Sequence, residues 1–186
     1  MTDSLKYTLS ALVLLSGIYL YNQNVQQSHI VSGSSIFSGN PDDIQRVLIT
    51  EGENSLELVR VDTTWRISQA DSLLIKENQI TNLFDRLLTV EMEMLISKNK
   101  TKWEKFGVDD SLGRHFQVFD DEDKKLIHYI FGNSGQDYQH NYIRDSNSSE
   151  VYRTNDNVYY LLNSSATYWG NPPPKPKKLE TEEIAQ

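Results

Sequence analysis

Two of the four histidines have a spacing that would allow them to share a metal ion. His115 and His128 lie in segments where apolar and polar residues alternate, a pattern that predicts β-strands. If Phe116 pairs with Tyr129, both imidazoles fall on the polar face of the sheet. Structural zinc sites use four ligands and catalytic ones at least three from the protein, and the sequence offers no third ligand at a suitable spacing. We therefore expect no metal site and interpret the pair as polar residues of a solvated sheet face.

The other groups that could do chemistry also lack the spacing of a catalytic or binding motif. The acidic run from Asp120 to Asp123 has neither the glycine nor the distant glutamate of a calcium loop, and it predicts a hairpin turn. The segment from Gly132 to Gly135 is not followed by the Lys-Ser/Thr pair of a phosphate-binding loop. The chain has no cysteine and no G-x-S-x-G motif. The sequence thus predicts a protein that is not an enzyme, with no catalytic residue and no cofactor.

The charge balance argues against a nucleic-acid partner. The chain has 18 Lys and Arg against 26 Asp and Glu, which gives a net charge of −8. Binding to a phosphate backbone requires a basic surface, so we expect no nucleic acid to bind.

An uncharged apolar stretch near the N-terminus indicates contact with a lipid bilayer. It runs over residues 7–21, and a helix of that length is about 22 Å long against a hydrocarbon core of about 30 Å. Leu5 before it and the uncharged residues 22–27 after it extend the stretch, so we predict a transmembrane helix over about residues 5–25, in an uncleaved signal anchor over residues 1–27. The alternative is a buried helix of the domain itself. The predicted anchor residues are Leu9, Leu12, Val13, Leu14, Leu15, Ile18 and Leu20.

The flanking charges and the composition predict a topology and a domain division. Lys6 precedes the apolar stretch and no Lys or Arg follows it before Arg46, which favours a cytoplasmic N-terminus. We expect a single-pass protein of the bacterial cytoplasmic membrane with a periplasmic domain. A Ser- and Gly-rich flexible linker is predicted over 28–43, an exported domain over 44–170 and a disordered Pro-rich, charged tail over 171–186.

Within the domain, the sequence pattern predicts an α+β fold. Strands are expected over 44–50, 55–61, 64–67, 90–94, 114–119, 125–131, 140–144 and 150–153. Asp71 is a candidate N-cap for a long helix whose apolar stripe includes Leu83 and Leu87. We therefore predict a mostly antiparallel sheet in two successive strand-rich groups, with one long helix packed on it and the transmembrane helix before it.

Tyrosines are frequent in the last third of the chain, and they suggest a partner surface. Tyrosine combines a broad apolar ring with a polar hydroxyl, which suits a surface that is exposed to water and also binds a partner. Most of these tyrosines are expected to be partly buried in strands. The candidates for contact with a partner are Tyr138, Tyr159 and Tyr160.

The order of several short motifs resembles the bacterial domain-of-unknown-function family 4340. The motifs are Trp65-Arg66-Ile67, Ala70-Asp71, Lys105-Phe106-Gly107-Val108 followed by Asp109, Phe131-Gly132, Tyr142-Ile143-Arg144 and Val151-Tyr152-Arg153. The resemblance extends over about residues 44–169. It implies a single-anchor envelope protein, in some cases found with gliding-motility-type ABC transporter components, and it implies no catalytic residues.

Two functions are compatible with these observations. The first is a membrane-anchored, non-catalytic periplasmic interaction domain, an accessory or scaffold subunit of an envelope ABC transporter-type complex. Its partners would be an envelope membrane protein complex and the lipid bilayer. The second is a periplasmic ligand-binding domain for a glycan, a lipid or a small metabolite.

Overall fold

A computed structural model of the protein describes residues 3–27, 30–134 and 137–174, and eleven strands account for most of its regular structure. The strands are β1 Ile30–Ser35, β2 Arg46–Glu51, β3 Asn54–Val61, β4 Thr64–Ile67, β5 Leu74–Ile75, β6 Glu91–Ser97, β7 Arg114–Phe119, β8 Lys125–Ser134, β9 Asn141–Asp145, β10 Val151–Thr154 and β11 Gly170–Asn171. The helices are α1 Asp3–Gln27, α2 Glu77–Asn82, α3 Trp103–Phe106 and α4 Ala166–Trp169. Short 3-10 turns lie at Pro41–Asp43, Lys100–Lys102 and Tyr159–Leu161.

Nine of these strands form one antiparallel sheet. Their order is β1-β6-β10-β9-β8-β7-β2-β3-β4, and β2 pairs with both β3 and β7. The pairing of β2 with β7 joins the early strands to the late ones. The prediction of two strand-rich groups is therefore wrong, because this pairing connects residues far apart in the sequence and local alternation carries no information about it.

The prediction of one long helix packed on the sheet is also wrong. The helix begins at Glu77, has Lys76 rather than Asp71 at its N-cap, and continues past Asn82 as a π-helical turn over Leu83–Leu87. The residues just before it form β5, which pairs with β11, and the Lys76 amide donates to the Trp169 carbonyl at 2.7 Å. This contact with the C-terminal part of the domain overrides the local helical pattern.

The prediction of a transmembrane helix over about residues 5–25 is also wrong. Helix α1 has 25 residues, but the apolar stretch fills only residues 7–21 of it. Among the helices that the structure describes, none has the length and apolarity needed to cross a membrane.

The structure describes residues 30–43 of the predicted linker and residues 171–174 of the predicted tail. Residues 30–35 of the predicted linker form β1, which pairs with β6, and Ile36 is buried in the core. Residues 175–186 of the predicted disordered tail lie outside the described residues.

The main core lies on one face of the sheet. Helix α2, its π-helical turn and the C-terminal turns cover strand residues such as Val47, Phe116 and Phe131, and each of these three is fully buried. Burying a side chain of this size stabilises the fold by about 1.5 to 3 kcal/mol. The opposite face carries a smaller cluster in which Val108 and Ile130 pack with residues of α3.

Gly132 allows α3 to approach the sheet. A Cβ at this position of β8 would collide with the carbonyl oxygen of Phe106, the last residue of α3. Gly107 follows with a φ of 64°, the left-handed conformation that commonly ends a helix. The two glycines thus fix the short segment that covers the second sheet face.

Candidate interaction surface

The turn before β9 and the loop after β10 are joined by a buried asparagine. Asn141, the first residue of β9, is fully buried, and its Oδ1 accepts hydrogen bonds from the amides of Val158 at 2.6 Å and Tyr159 at 2.9 Å. Nearby, the Asn157 side chain donates to the Tyr138 carbonyl at 2.9 Å. These bonds hold the turn containing Tyr138 against the loop at residues 155–161.

Tyr138 is the most exposed large apolar side chain among the described residues. Its exposed fraction is 79%, and its φ is 55°, a left-handed conformation that costs an L-residue about 1 to 2 kcal/mol. Such backbone strain persists only where surrounding structure enforces it, and it is concentrated at functional sites. The chain thus holds an exposed aromatic ring in an unfavourable backbone conformation.

Tyr160 lies on the adjoining loop and is held by an arginine. Its side chain is 49% exposed, its hydroxyl accepts a hydrogen bond from Arg86, and the Arg86 guanidinium lies 5.5 Å from the centre of its ring. Arg86 also pairs with Asp156, and this hydrogen bond raises the pKa of the guanidinium. Tyr138, Tyr160 and Arg86 are named the tyrosine rim below; tyrosine and arginine dominate the binding energy of many interfaces.

Of the three tyrosines predicted to contact a partner, Tyr159 has a different environment. It is partly buried, the Arg114 guanidinium lies 4.1 Å from the centre of its ring, and burial raises the pKa of its hydroxyl. Arg114 in turn pairs with Glu51 at 2.7 Å. Tyr159 therefore packs on its own domain, whereas Tyr138 and Tyr160 face solvent.

The predicted anchor residues lie on α1 and are exposed on every side of the helix. Consecutive residues from Leu12 to Leu15 all have exposed fractions between 63% and 67%. The remaining predicted residues Leu9, Ile18 and Leu20 are 53% to 62% exposed. An apolar helix of this kind needs an apolar environment around its whole circumference.

The two histidines on the polar sheet face are in contact, as their predicted register implies. Phe116 pairs with Tyr129, and His115 Nδ1 lies 3.0 Å from His128 Nε2. His115 Nε2 lies 3.0 Å from the Asp110 carbonyl oxygen, which can only accept, so His115 donates there and His128 donates to His115. No group of three or more metal-ligating side chains occurs within residues 3–27, 30–134 and 137–174.

The environment of His128 keeps its imidazole neutral. Burial, followed by the nearby ammonium charge of Lys125, lowers its pKa from 6.5 to about 4. Because the group is almost entirely deprotonated at pH 7, it is poorly matched to proton transfer near neutral pH.

This pKa shift predicts acid sensitivity. Below pH 6.5 the unfolded chain takes up a proton at His128 while the folded chain does not, so stability should fall between about pH 6.5 and 4. His128→Asn should reduce this fall by about 1 to 2 kcal/mol, a value discounted for partial solvent exposure. Urea unfolding of the wild type and His128→Asn from pH 7.5 to 4 measures the effect. Parallel curves of the free energy of unfolding against pH would contradict the lowered pKa of His128.

Sequence reasoning missed a buried arginine on the same sheet face. Arg144 on β9 is 1% exposed, its Nε donates to the Val108 carbonyl at 2.9 Å, and its guanidinium pairs with Asp110 at 2.6 Å. The guanidinium also lies 3.7 Å from the centre of the Trp103 ring. Arg144 thus ties α3 and the following loop to the sheet. The alternating pattern of a strand does not show whether an arginine in it is buried and hydrogen-bonded or exposed at the surface.

The fold and these contacts define a domain built on one large antiparallel sheet, with an aromatic, arginine-containing surface at one end of β9 and β10. The family model described as "Domain of unknown function (DUF4340)" matches residues 65–186, and the chain belongs to this family. The match begins at Trp65, so β2 and β3 lie outside it although they belong to the same sheet. No curated protein and no solved structure matches the chain.

Proposed function

We propose that this protein is a non-catalytic interaction domain at the periplasmic face of the bacterial cytoplasmic membrane. In this role it is an accessory or scaffold subunit of an envelope ABC transporter-type complex. The observation that carries the proposal is Tyr138, which is 79% exposed at a φ of 55° and is held there by its contact with Asn157. The rest of the fold compensates the backbone strain at Tyr138. Contact of the exposed ring with a partner would explain why the strained conformation is kept.

The tyrosine rim has the composition of a binding hot spot. Tyr160 and Arg86 are already held together by a hydrogen bond, and Arg86 is fixed in turn by Asp156. Side chains ordered before binding lose less conformational entropy when a partner arrives. The rim is therefore preorganised for a protein surface with an apolar pocket and a hydrogen-bond acceptor.

The apolar residues of α1 support attachment to a membrane. Lipid provides an apolar environment around the helix, which explains why its leucines face outward on all sides. The proposal requires this stretch to enter the lipid and does not require it to cross the bilayer. Attachment raises the effective concentration of the tyrosine rim near a membrane partner.

Tyr138→Gly separates folding from binding. Glycine adopts a positive φ without strain, so the free energy of unfolding should stay the same or rise by up to about 1 kcal/mol. Loss of the ring should weaken partner capture at least tenfold, because truncating a hot-spot aromatic costs about 2 kcal/mol or more. The measurements are urea unfolding and quantitative co-purification of envelope proteins from detergent-solubilised native membranes.

Leu112→Ala is the matched control for this experiment. Leu112 is also an exposed apolar side chain, at 59%, but it lies on the loop between α3 and β7. This variant should capture the same proteins as the wild type. Equal capture by the wild type and Tyr138→Gly would show that the tyrosine rim is not the interface.

A further inference from the structure

An open cavity at the end of β6 collects positive charge on an otherwise acidic protein. Its volume is about 760 Å³, and its lining includes Leu95 and Ile96 together with Lys98, Lys100 and Lys102. The segment 95–102 contains no acidic residue, while the whole chain has a net charge of −8. The cavity therefore combines apolar and cationic groups.

Two of the three lysines lack an acidic partner within the described residues. Lys98 pairs with Glu150 at 2.9 Å, whereas neither Lys100 nor Lys102 forms an ion pair with an acidic side chain of the described residues. The Lys100 ammonium lies 5.6 Å from the centre of the Trp103 ring. The side chains of Lys100 and Lys102 are both exposed. Two ammonium groups are thus available to an anion.

The cavity lies near the point where the apolar helix joins the sheet. Strand β1 begins at Ile30, which pairs with Met94, the residue immediately before the cavity residue Leu95. The apolar stretch ends at residue 21, about 9 Å of helix before α1 ends at Gln27, and the next three residues span at most about 11 Å. A membrane that takes up the apolar stretch would therefore have its surface within about 20 Å of the start of β1, the strand that pairs with β6 beside the cavity.

We propose that Lys100 and Lys102, with Lys98 beside them, bind the phosphate groups of anionic lipids at the membrane surface that α1 enters. This inference rests on the membrane attachment in the proposed function. The lysine ammonium groups supply the charge and the donors, and the apolar side chains of Leu95 and Ile96 lie beside the upper acyl region of the lipid. Free phosphate has the same chemistry, but the proximity of α1 favours the lipid headgroup.

Vesicle binding of the full chain tests this site. Vesicles of phosphatidylcholine alone are compared with vesicles in which about a third of the lipid is phosphatidylglycerol, which gives an anionic surface. The wild type should bind the anionic vesicles more tightly, by up to about thirty-fold at low salt, and the gain should shrink as salt approaches about 0.15 M. Lys100→Gln with Lys102→Gln should abolish this gain and leave binding to neutral vesicles unchanged.

The matched control changes two other lysines. Lys124→Gln with Lys125→Gln removes the same charge at the hairpin between β7 and β8, and it should retain the gain on anionic vesicles. A gain lost equally in both double variants would show a non-specific charge effect and overturn the proposed site. Binding of inorganic phosphate in solution that is lost in Lys100→Gln with Lys102→Gln, together with no gain on anionic vesicles, would assign the lysines to free phosphate and also overturn the proposal.

The neutral vesicles separate this inference from the proposed function. If the wild type does not bind phosphatidylcholine vesicles, membrane attachment through α1 fails. If it binds both vesicle types equally, attachment stands and the headgroup site is overturned.

Discussion

Replacing Arg144 by methionine is expected to lower the free energy of unfolding by about 3 kcal/mol. Methionine preserves much of the apolar contact with Trp103 but removes the donors to the Val108 carbonyl and to Asp110. Val108 is fully buried, so its carbonyl would lose this partner away from water. In a domain of this size, the loss corresponds to a decrease in Tm of roughly 10 °C.

Arg153→Met is the matched control for this prediction. Arg153 lies on the neighbouring strand β10 and pairs with Glu93 at 2.8 Å, but its side chain remains 30% exposed. A partly exposed ion pair contributes less than about 1 kcal/mol, so this variant should stay close to the wild type. Calorimetric melting of the three proteins gives the comparison. An Arg144→Met protein as stable as the wild type would show that the tie contributes little to the fold.

Asn141→Ala is expected to cost about 3 kcal/mol and to disrupt the tyrosine rim as well. It leaves the amide of the fully buried Val158 without its acceptor, whereas the Tyr159 amide keeps a longer hydrogen bond to Asn157 Oδ1 at 3.2 Å. Each buried unpaired amide costs about 1 to 3 kcal/mol. The loop at residues 155–161 also loses its connection to β9, so partner capture should fall although Tyr138 and Tyr160 are unchanged.

Asn147→Ala provides the control for the asparagine substitution. Asn147 lies in the exposed turn between β9 and β10, and its replacement should change stability by less than about 0.5 kcal/mol. Unfolding in urea measures stability, and hydrogen exchange at the Val158 amide, which donates to Asn141 Oδ1, measures the order of the loop. Unchanged protection of that amide in Asn141→Ala would contradict the role assigned to Asn141.

The local features of this fold could be predicted from the sequence. Alternation identified the strands of the β2–β3 hairpin, and the pairing of Phe116 with Tyr129, the condition for placing His115 and His128 together, is observed. Both features depend on residues close together in the chain and on the period-two pattern of a half-buried strand. The turn around Glu51 and Gly52 also gave a clear signal, and Gly52 has a φ of 57°.

The long-range features could not be predicted. Pairing of β5 with β11 joins residues almost a hundred positions apart and replaces the first turns of the predicted helix. The same is true of the β2–β7 pairing that merges the strands into one sheet. Tyr138 was identified from its residue type alone; its positive φ and its bond from Asn157 depend on a loop contact that no local pattern encodes.

Photo-crosslinking in intact cells tests the central claim most directly. A photoreactive phenylalanine analogue is placed at position 138 of the full chain, with position 112, which is also exposed, as the control away from the tyrosine rim. We expect one reproducible crosslinked envelope protein at position 138 and none at position 112. No protein crosslink at position 138, or the same products at both positions, would contradict it.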